Sequence, residues 1–108
     1  MEATMARVQV NPGICGLTST LDVALGDDGM CEFKGESMCP HVQTLIEGLT
    51  GVDPYGEISF AGDGPRILAA AQQLLPHPAC PVPCALLKAV EVTAGLALPA
   101  DVAVTVST

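Results

Sequence analysis

The sequence predicts an α+β fold in which a small antiparallel sheet of about four strands is covered by three helices. Two observations carry this prediction. Segments towards both ends of the chain alternate apolar and polar residues with the two-residue period of a strand. Three segments between them space apolar residues as helices do, and a proline stands near the start of each. We expect all 108 residues to form one domain around a single core.

Turn residues mark the ends of the predicted strands. The first strand stops at Asn11-Pro12-Gly13, and the second and third are joined as a hairpin by Gly26-Asp27-Asp28-Gly29. The last strand is recognised by its β-branched residues. Residues 57–61 fit a further short strand. The four strands of the sheet are predicted at residues 5–10, 17–25, 30–35 and 102–106.

The three helices are predicted to start near Pro40, Pro65 and Pro81. A proline suits the first helical position, where no backbone donor is needed. Asp63 is expected to cap the second helix. Four prolines within residues 76–84 keep the third helix from starting before the last few of these positions.

Charge and composition exclude several classes of partner. The net charge is −8, and the four Lys and Arg residues are scattered, so nucleic acids and anionic membrane surfaces are not expected to bind. Aromatic residues are 3% of the chain, too few for stacking on bases. No apolar run approaches the ~18 residues of a membrane span and no apolar signal region begins the chain, so we expect a cytoplasmic location. A protein partner or a second copy of the chain stays open.

Five cysteines provide most of the chemistry that the sequence offers. Their odd number argues against a disulfide framework and for free, metal-bound or redox-active thiols. Cys31 alternates with Phe33 in the predicted hairpin and is expected to point into the core. The other four cysteines therefore become the candidates for function.

Cys39 and Cys80 each directly precede a proline and a predicted helix, and the apolar residues of the two helices keep the same phase. Both are therefore predicted to be helix N-caps. Unpaired N–H groups and the positive end of the helix dipole favour a thiolate there. Cysteine is not a preferred N-cap residue, which indicates that the sulfur serves something besides capping.

Cys15, Cys84 and His77 complete the candidate set. Cys15 lies between glycines that allow a concave nest of N–H groups, as found around iron–sulfur centres. Cys84 follows Cys80 by four residues and would share its helix face, and His77 precedes Cys80 by three. We predict a metal site formed by Cys15, Cys39 and Cys80 and completed by Cys84 or His77, with an iron–sulfur cluster or zinc as the bound group.

This prediction leaves two alternatives open, because the chain has no CxxC pair and the cysteine spacing matches neither a zinc ribbon nor a bacterial ferredoxin. A bound metal or cluster would serve redox metabolism in an accessory role rather than as an enzyme, since no catalytic set accompanies it. The first alternative is a thiol–disulfide protein in which Cys80 pairs with Cys39, Cys15 or Cys84. The second is a non-catalytic interaction module or homodimer whose free cysteines are buried.

Three segments of the chain resemble a family of short, uncharacterised prokaryotic proteins of the kind found in anaerobes. These segments are Pro12-Gly13-Ile14-Cys15-Gly16, Ser37-Met38-Cys39-Pro40 and Cys80-Pro81-Val82-Pro83. The resemblance covers nearly the whole chain and implies a cysteine pattern rather than an activity. In that pattern the position of Cys84 often holds a small residue, which implies a common set of three cysteines. An open fourth position suits a catalytic or substrate-binding metal, whereas four thiolates suit a structural or electron-transfer centre.

Overall fold

The computed structural model describes residues 5–108, so the first four residues of the predicted domain lie outside the description. Within the described residues the α+β class is confirmed. The elements follow one another as β1 (Met5–Val10), β2 (Ser19–Leu25), β3 (Cys31–Ser37), α1 (Pro40–Gly48), α2 (Arg66–Leu74) and α3 (Val82–Thr93). One turn of 3₁₀ helix, Pro54–Gly56, lies between α1 and α2.

The sheet is an antiparallel meander in the order β1-β2-β3. Ser19 pairs with both Val10 and Ser37 at one end of the sheet, and Leu25 pairs with Cys31 at the other. The predicted hairpin between β2 and β3 is confirmed. Its turn is closed by hydrogen bonds from Gly26 N to Met30 O (2.8 Å) and from Gly29 N to Gly26 O (3.0 Å).

All three helices contribute to one hydrophobic core with one face of the sheet. Alternate residues of β2 and β3 are buried, as the two-residue period predicts. Helix α1 buries its predicted apolar stripe, whereas α2 buries Ile67 and Ala71 but leaves Leu74 of its predicted stripe exposed. Within residues 5–108, no helix is long and apolar enough to cross a membrane. The largest fully buried side chains include Leu21, Leu45, Ile67 and Leu86.

The predicted fourth strand at residues 102–106 is wrong for the single chain. Helix α3 ends in a Schellman motif, in which Leu96 N donates to Glu91 O (2.8 Å) and Gly95, with φ +77°, reverses the chain direction. Residues 95–108 are exposed and form no regular structure. Alternation alone does not make a strand, because a strand also needs an edge to pair with. Residues 57–61 likewise form bends and irregular backbone rather than a strand.

Candidate functional site

Cys39 is the N-cap of α1, as predicted. Its backbone is extended, with φ −89° and ψ 118°, and Pro40 occupies the first helical position. The Cys39 N–H donates to Ser37 Oγ (3.0 Å), and the Cys39 carbonyl accepts from Gln43 N (3.0 Å). The thiol itself makes no capping hydrogen bond. The partly buried sulfur therefore lies beside the first turn of α1 without a partner that would commit it to capping.

Cys80 is not the N-cap of α3, and that prediction is wrong by one residue. The N-cap is Pro81, with φ −78° and ψ −6°, and the Pro81 carbonyl accepts the first helical hydrogen bond from Ala85 N (3.1 Å). The fixed φ of Pro81 already suits a helix start, so the helix begins directly after it. Cys80 instead ends a turn in which its N–H donates to His77 O (3.3 Å), and its side chain packs partly buried against the core.

Cys15 lies in the exposed turn that joins β1 to β2. Asn11 Oδ1 accepts from Gly13 N (3.2 Å), and Gly16 N donates to Gly13 O (3.0 Å). Gly13 and Gly16 have φ values of +98° and +68°, so the backbone freedom expected of these glycines is used. Cys15 is thus carried on a turn held only by local hydrogen bonds, with its side chain in solvent.

Cys84 and His77 are both exposed. Cys84 is the third residue of α3, whereas Cys80 lies before that helix, so the two do not share a helix face as predicted. Cys84 instead borders a groove of about 240 Å³ between α3 and the segment that leads into α2, with Phe60 and Leu68 among its lining. His77 lies in the turn between α2 and α3.

Cys31 points into the core, as predicted. Burial raises the pKa of its thiol to about 11, and the negative charges of Glu57, Asp53 and Glu32 add to this shift. Its backbone forms an isolated bridge with Val52, in which the two residues exchange hydrogen bonds of 2.7 and 3.1 Å. Cys31 is therefore a neutral core residue that fixes the end of β3.

The direction of α3 shows which end of the sheet Cys80 occupies. Thr93, the last residue of α3, donates its hydroxyl to the Val23 carbonyl (3.2 Å), towards the Leu25 end of β2. The helix packs on β1 and β2, and its 12 residues span about 18 Å. Its first turn therefore lies towards the opposite end of the sheet, where Val10 pairs with Ser19.

Cys15 and Cys39 lie at this same end. Cys15 is in the loop that follows β1, and Cys39 follows β3. The two segments are joined directly, because Met38 N donates to Thr18 O (2.9 Å) and the Thr18 hydroxyl lies 3.3 Å from Met38 Sδ. We call this end of the molecule, with Cys15, Cys39 and Cys80, the cysteine end.

The side chains at the cysteine end do not form a closed ligand set. Within residues 5–108, no three Cys, His, Asp or Glu side chains lie close enough together to hold a metal ion, and all five cysteines are free. The topology thus brings three of the predicted ligands to one end of the sheet, but Cys84 and His77 do not complete a centre with them. A metal held by these three cysteines would require their side chains to move towards one another.

A polar groove of about 550 Å³ opens beside the start of α1. Met38, the neighbour of Cys39, is the one apolar side chain in its lining. Glu36 and Glu47 make the groove acidic. Its remaining lining is formed by Thr18, Thr20, Ser37 and Gln43. A ligand that approached Cys39 from this side would meet hydroxyl and carboxylate oxygens.

Two side chains that organise the fold were not singled out for these roles by the sequence. Glu57 is buried and accepts from Arg66 N and Ile67 N, at 2.8 Å each, so it caps α2 in place of the predicted Asp63. Gln43 accepts from Ser37 N (3.0 Å) and lies 3.3 Å from the Gly35 carbonyl through its amide nitrogen. No local sequence motif predicts either role, because the hydrogen bonds of both side chains join residues that are six to ten positions apart.

The chain belongs to a family of unknown function, DUF6951, whose model matches residues 6–106. Neither a curated protein nor a solved structure matches the chain. The family extends across the cysteine end and the C-terminal segment alike, but it assigns no activity to either.

Proposed function

We propose that this DUF6951 member uses its cysteine end as a thiolate site for a soft metal, either zinc or an iron–sulfur cluster, in a role accessory to redox metabolism. The observation that supports the proposal is that three cysteines far apart in the sequence lie on segments at one end of the sheet. Cys39 is the N-cap of α1, Cys80 lies two residues before the first residue of α3, and Cys15 lies on the loop after β1.

The local surroundings of these cysteines support metal binding over simple core packing. The Cys39 thiol makes no capping hydrogen bond and stands at a helix start, where backbone N–H groups are available to an anionic sulfur or to cluster sulfide. The glycine turn that carries Cys15 has no side chain in the core, so its movement towards Cys39 would break few contacts. All five cysteines are free, which suits a reducing cytoplasm.

Anaerobic purification tests the proposal, followed by assays for iron, zinc and acid-labile sulfide. We expect metal in the wild-type protein and its loss in Cys15→Ser, Cys39→Ser and Cys80→Ser. Cys31→Ala is the matched control, because it removes a thiol that lies in the core and should leave the metal content unchanged.

Alkylation provides a second readout. Bound metal should protect Cys15, Cys39 and Cys80 from alkylation, and a chelator should remove that protection. If neither the anaerobic protein nor a protein reconstituted with zinc or with iron and sulfide holds metal, the proposal is wrong. If metal is bound, the Cys84→Ser variant separates two forms of the site, since only a four-thiolate centre needs Cys84.

A thiol–disulfide function is the second candidate, and the absence of a closed three-ligand set within residues 5–108 favours it. Two thiols are enough for this chemistry. Cys80 and Cys39 would together give two electrons and two protons to a disulfide of a partner and form a disulfide between themselves, with Cys15 or Cys84 as the other possible partners of Cys80. Mild oxidation of the metal-free protein should then remove two titratable thiols, and peptide mapping should identify the pair.

A further inference from the structure

We propose that the C-terminal segment of one copy of this chain pairs as a strand with β1 of a second copy, and that the exchange is reciprocal. We call residues 101–106 the tail strand. The pairing extends each three-stranded sheet by one strand and makes a two-fold dimer. It develops the homodimer alternative and is independent of any metal at the cysteine end.

The outer edge of β3 is closed within the chain. At one end of the strand, Cys31 exchanges backbone hydrogen bonds with Val52. At the other end, the Gln43 side chain accepts from Ser37 N and lies against the Gly35 carbonyl, as a neighbouring strand would. A further strand could therefore form backbone hydrogen bonds with only a small part of the β3 edge.

Within residues 5–108, no segment pairs with the outer edge of β1. The N–H and C=O of Cys31 point away from β2, towards Val52. Because these backbone groups alternate in direction along each strand of an antiparallel sheet, the register of the three strands directs the N–H and C=O of Ala6, Val8 and Val10 towards β2. The N–H and C=O groups of Arg7 and Gln9 then point outwards. Among the described residues, no backbone hydrogen bond from outside the sheet reaches these two residues. β1 is thus an edge strand that can accept another strand.

The tail strand has the features that this edge requires. Val102, Val104 and Val106 alternate with smaller or polar residues, and Val104 and Val106 are 84% and 89% exposed. Paired with β1, the valines would continue the face on which β1 packs against α3. The alternate face of the tail strand carries Asp101, Ala103 and Thr105, which would lie on the exposed side of β1 that presents Arg7 and Gln9.

The tail strand does not occupy its own β1 edge. The Schellman motif at Gly95 reverses the chain direction after α3, and residues 95–108 extend into solvent. A second copy offers an open β1 edge of the same sequence and also a tail strand, so a two-fold axis forms both contacts at once.

Sedimentation and light scattering of the full chain under reducing conditions test the proposal. We expect a mass of twice the 11.0 kDa of one chain. Val104→Pro removes a backbone N–H donor and the valine side chain from the tail strand. Removal of residues 100–108 deletes the tail strand altogether. Either change should raise the dimer dissociation constant roughly tenfold or more, because two equivalent contacts are lost. Both should leave the fold intact, since these residues are exposed and outside every helix and strand.

Phe60→Asp is the control, because Phe60 is also 82% exposed but borders the groove between α3 and the segment that leads into α2. It should leave the dimer unchanged. A dimer that survives both tail changes overturns the proposal, and so does a dimer that only Phe60→Asp abolishes. A monomer whose Arg7 and Gln9 amides resist hydrogen exchange would show that each tail pairs with its own β1, which also overturns it.

Discussion

The buried carboxylate of Glu57 makes the most specific stability prediction, because one side chain serves the first two N–H groups of α2. Its two oxygens accept from Arg66 N and Ile67 N at 2.8 Å, and the side chain is 5% exposed. The N-cap of α2 is Pro65, which makes no side-chain cap. Glu57→Ala therefore leaves two donors at a helix start without their partner.

The magnitude follows from the two bonds. A hydrogen bond to a charged group contributes about 1.5–3 kcal/mol, and loss of an N-cap costs about 0.5–2 kcal/mol. Water can reach part of the space left by the truncated side chain, so we expect Glu57→Ala to lower the free energy of unfolding by about 2–4 kcal/mol. Glu57→Gln keeps one acceptor but turns an NH₂ group towards the other donor, and should lose roughly half as much.

Urea unfolding followed by circular dichroism measures this loss. The control is Glu36→Ala, which removes an exposed carboxylate that makes no side-chain hydrogen bond within residues 5–108 and should change the stability by less than about 0.5 kcal/mol. The Arg66 and Ile67 amides should also exchange faster in Glu57→Ala. Equal unfolding midpoints for Glu57→Ala and Glu36→Ala would refute the capping role.

Three further predictions concern the sheet and the core. Gly35 has φ +141°, and an added methyl group would meet the Thr20 carbonyl. Gly35→Ala should therefore lower the free energy of unfolding by about 2 kcal/mol or more in the same urea assay. Gly48→Ala is the control: Gly48 has open space around it, so this change should be neutral or slightly stabilising. In the metal-free native protein, Ellman's reagent should react with four thiols and should reach Cys31 only after unfolding. Because the pKa of Cys31 is raised from 9.0 to about 11, its neutral thiol contributes stability below pH 9, and this contribution is lost as the pH rises towards 11. In Cys31→Ala, the free energy of unfolding should therefore change less with pH between about 9 and 11. Thr93→Val removes the bond to the Val23 carbonyl and should cost about 1 kcal/mol, measured by thermal unfolding; an unchanged melting temperature would contradict it.

Local signals predicted the elements of this fold well. The two-residue period identified β1, β2 and β3, and prolines marked the starts of the helices, because both signals act within one element. The same reasoning placed Cys39 at a helix start and Cys31 in the core. The position of Cys80 was missed by one residue, since the pattern cannot tell whether the cysteine or the proline after it is the last non-helical residue.

Interactions between distant segments could not be predicted in the same way. Glu57 has no sequence feature that distinguishes a cap from a turn residue, because the carboxylate reaches α2 only after the intervening loop has folded back. The alternation of residues 102–106 is that of a strand, but no pattern in one sequence states whether an edge is free to receive it. The placement of Cys80 at the same end as Cys15 and Cys39 likewise depends on the direction in which α3 crosses the sheet.

The two proposals can be separated, because the tail strand carries no ligand for a soft metal. Residues 101–106 contain neither Cys nor His, so pairing at β1 cannot complete the cysteine end. Val104→Pro should therefore become monomeric while it keeps the metal content of the wild-type protein per chain, and Cys39→Ser should lose metal while it stays dimeric. If the monomeric variant also lost its metal, the cysteine end would depend on the second copy, and a site formed within one chain would be the wrong description of the thiols.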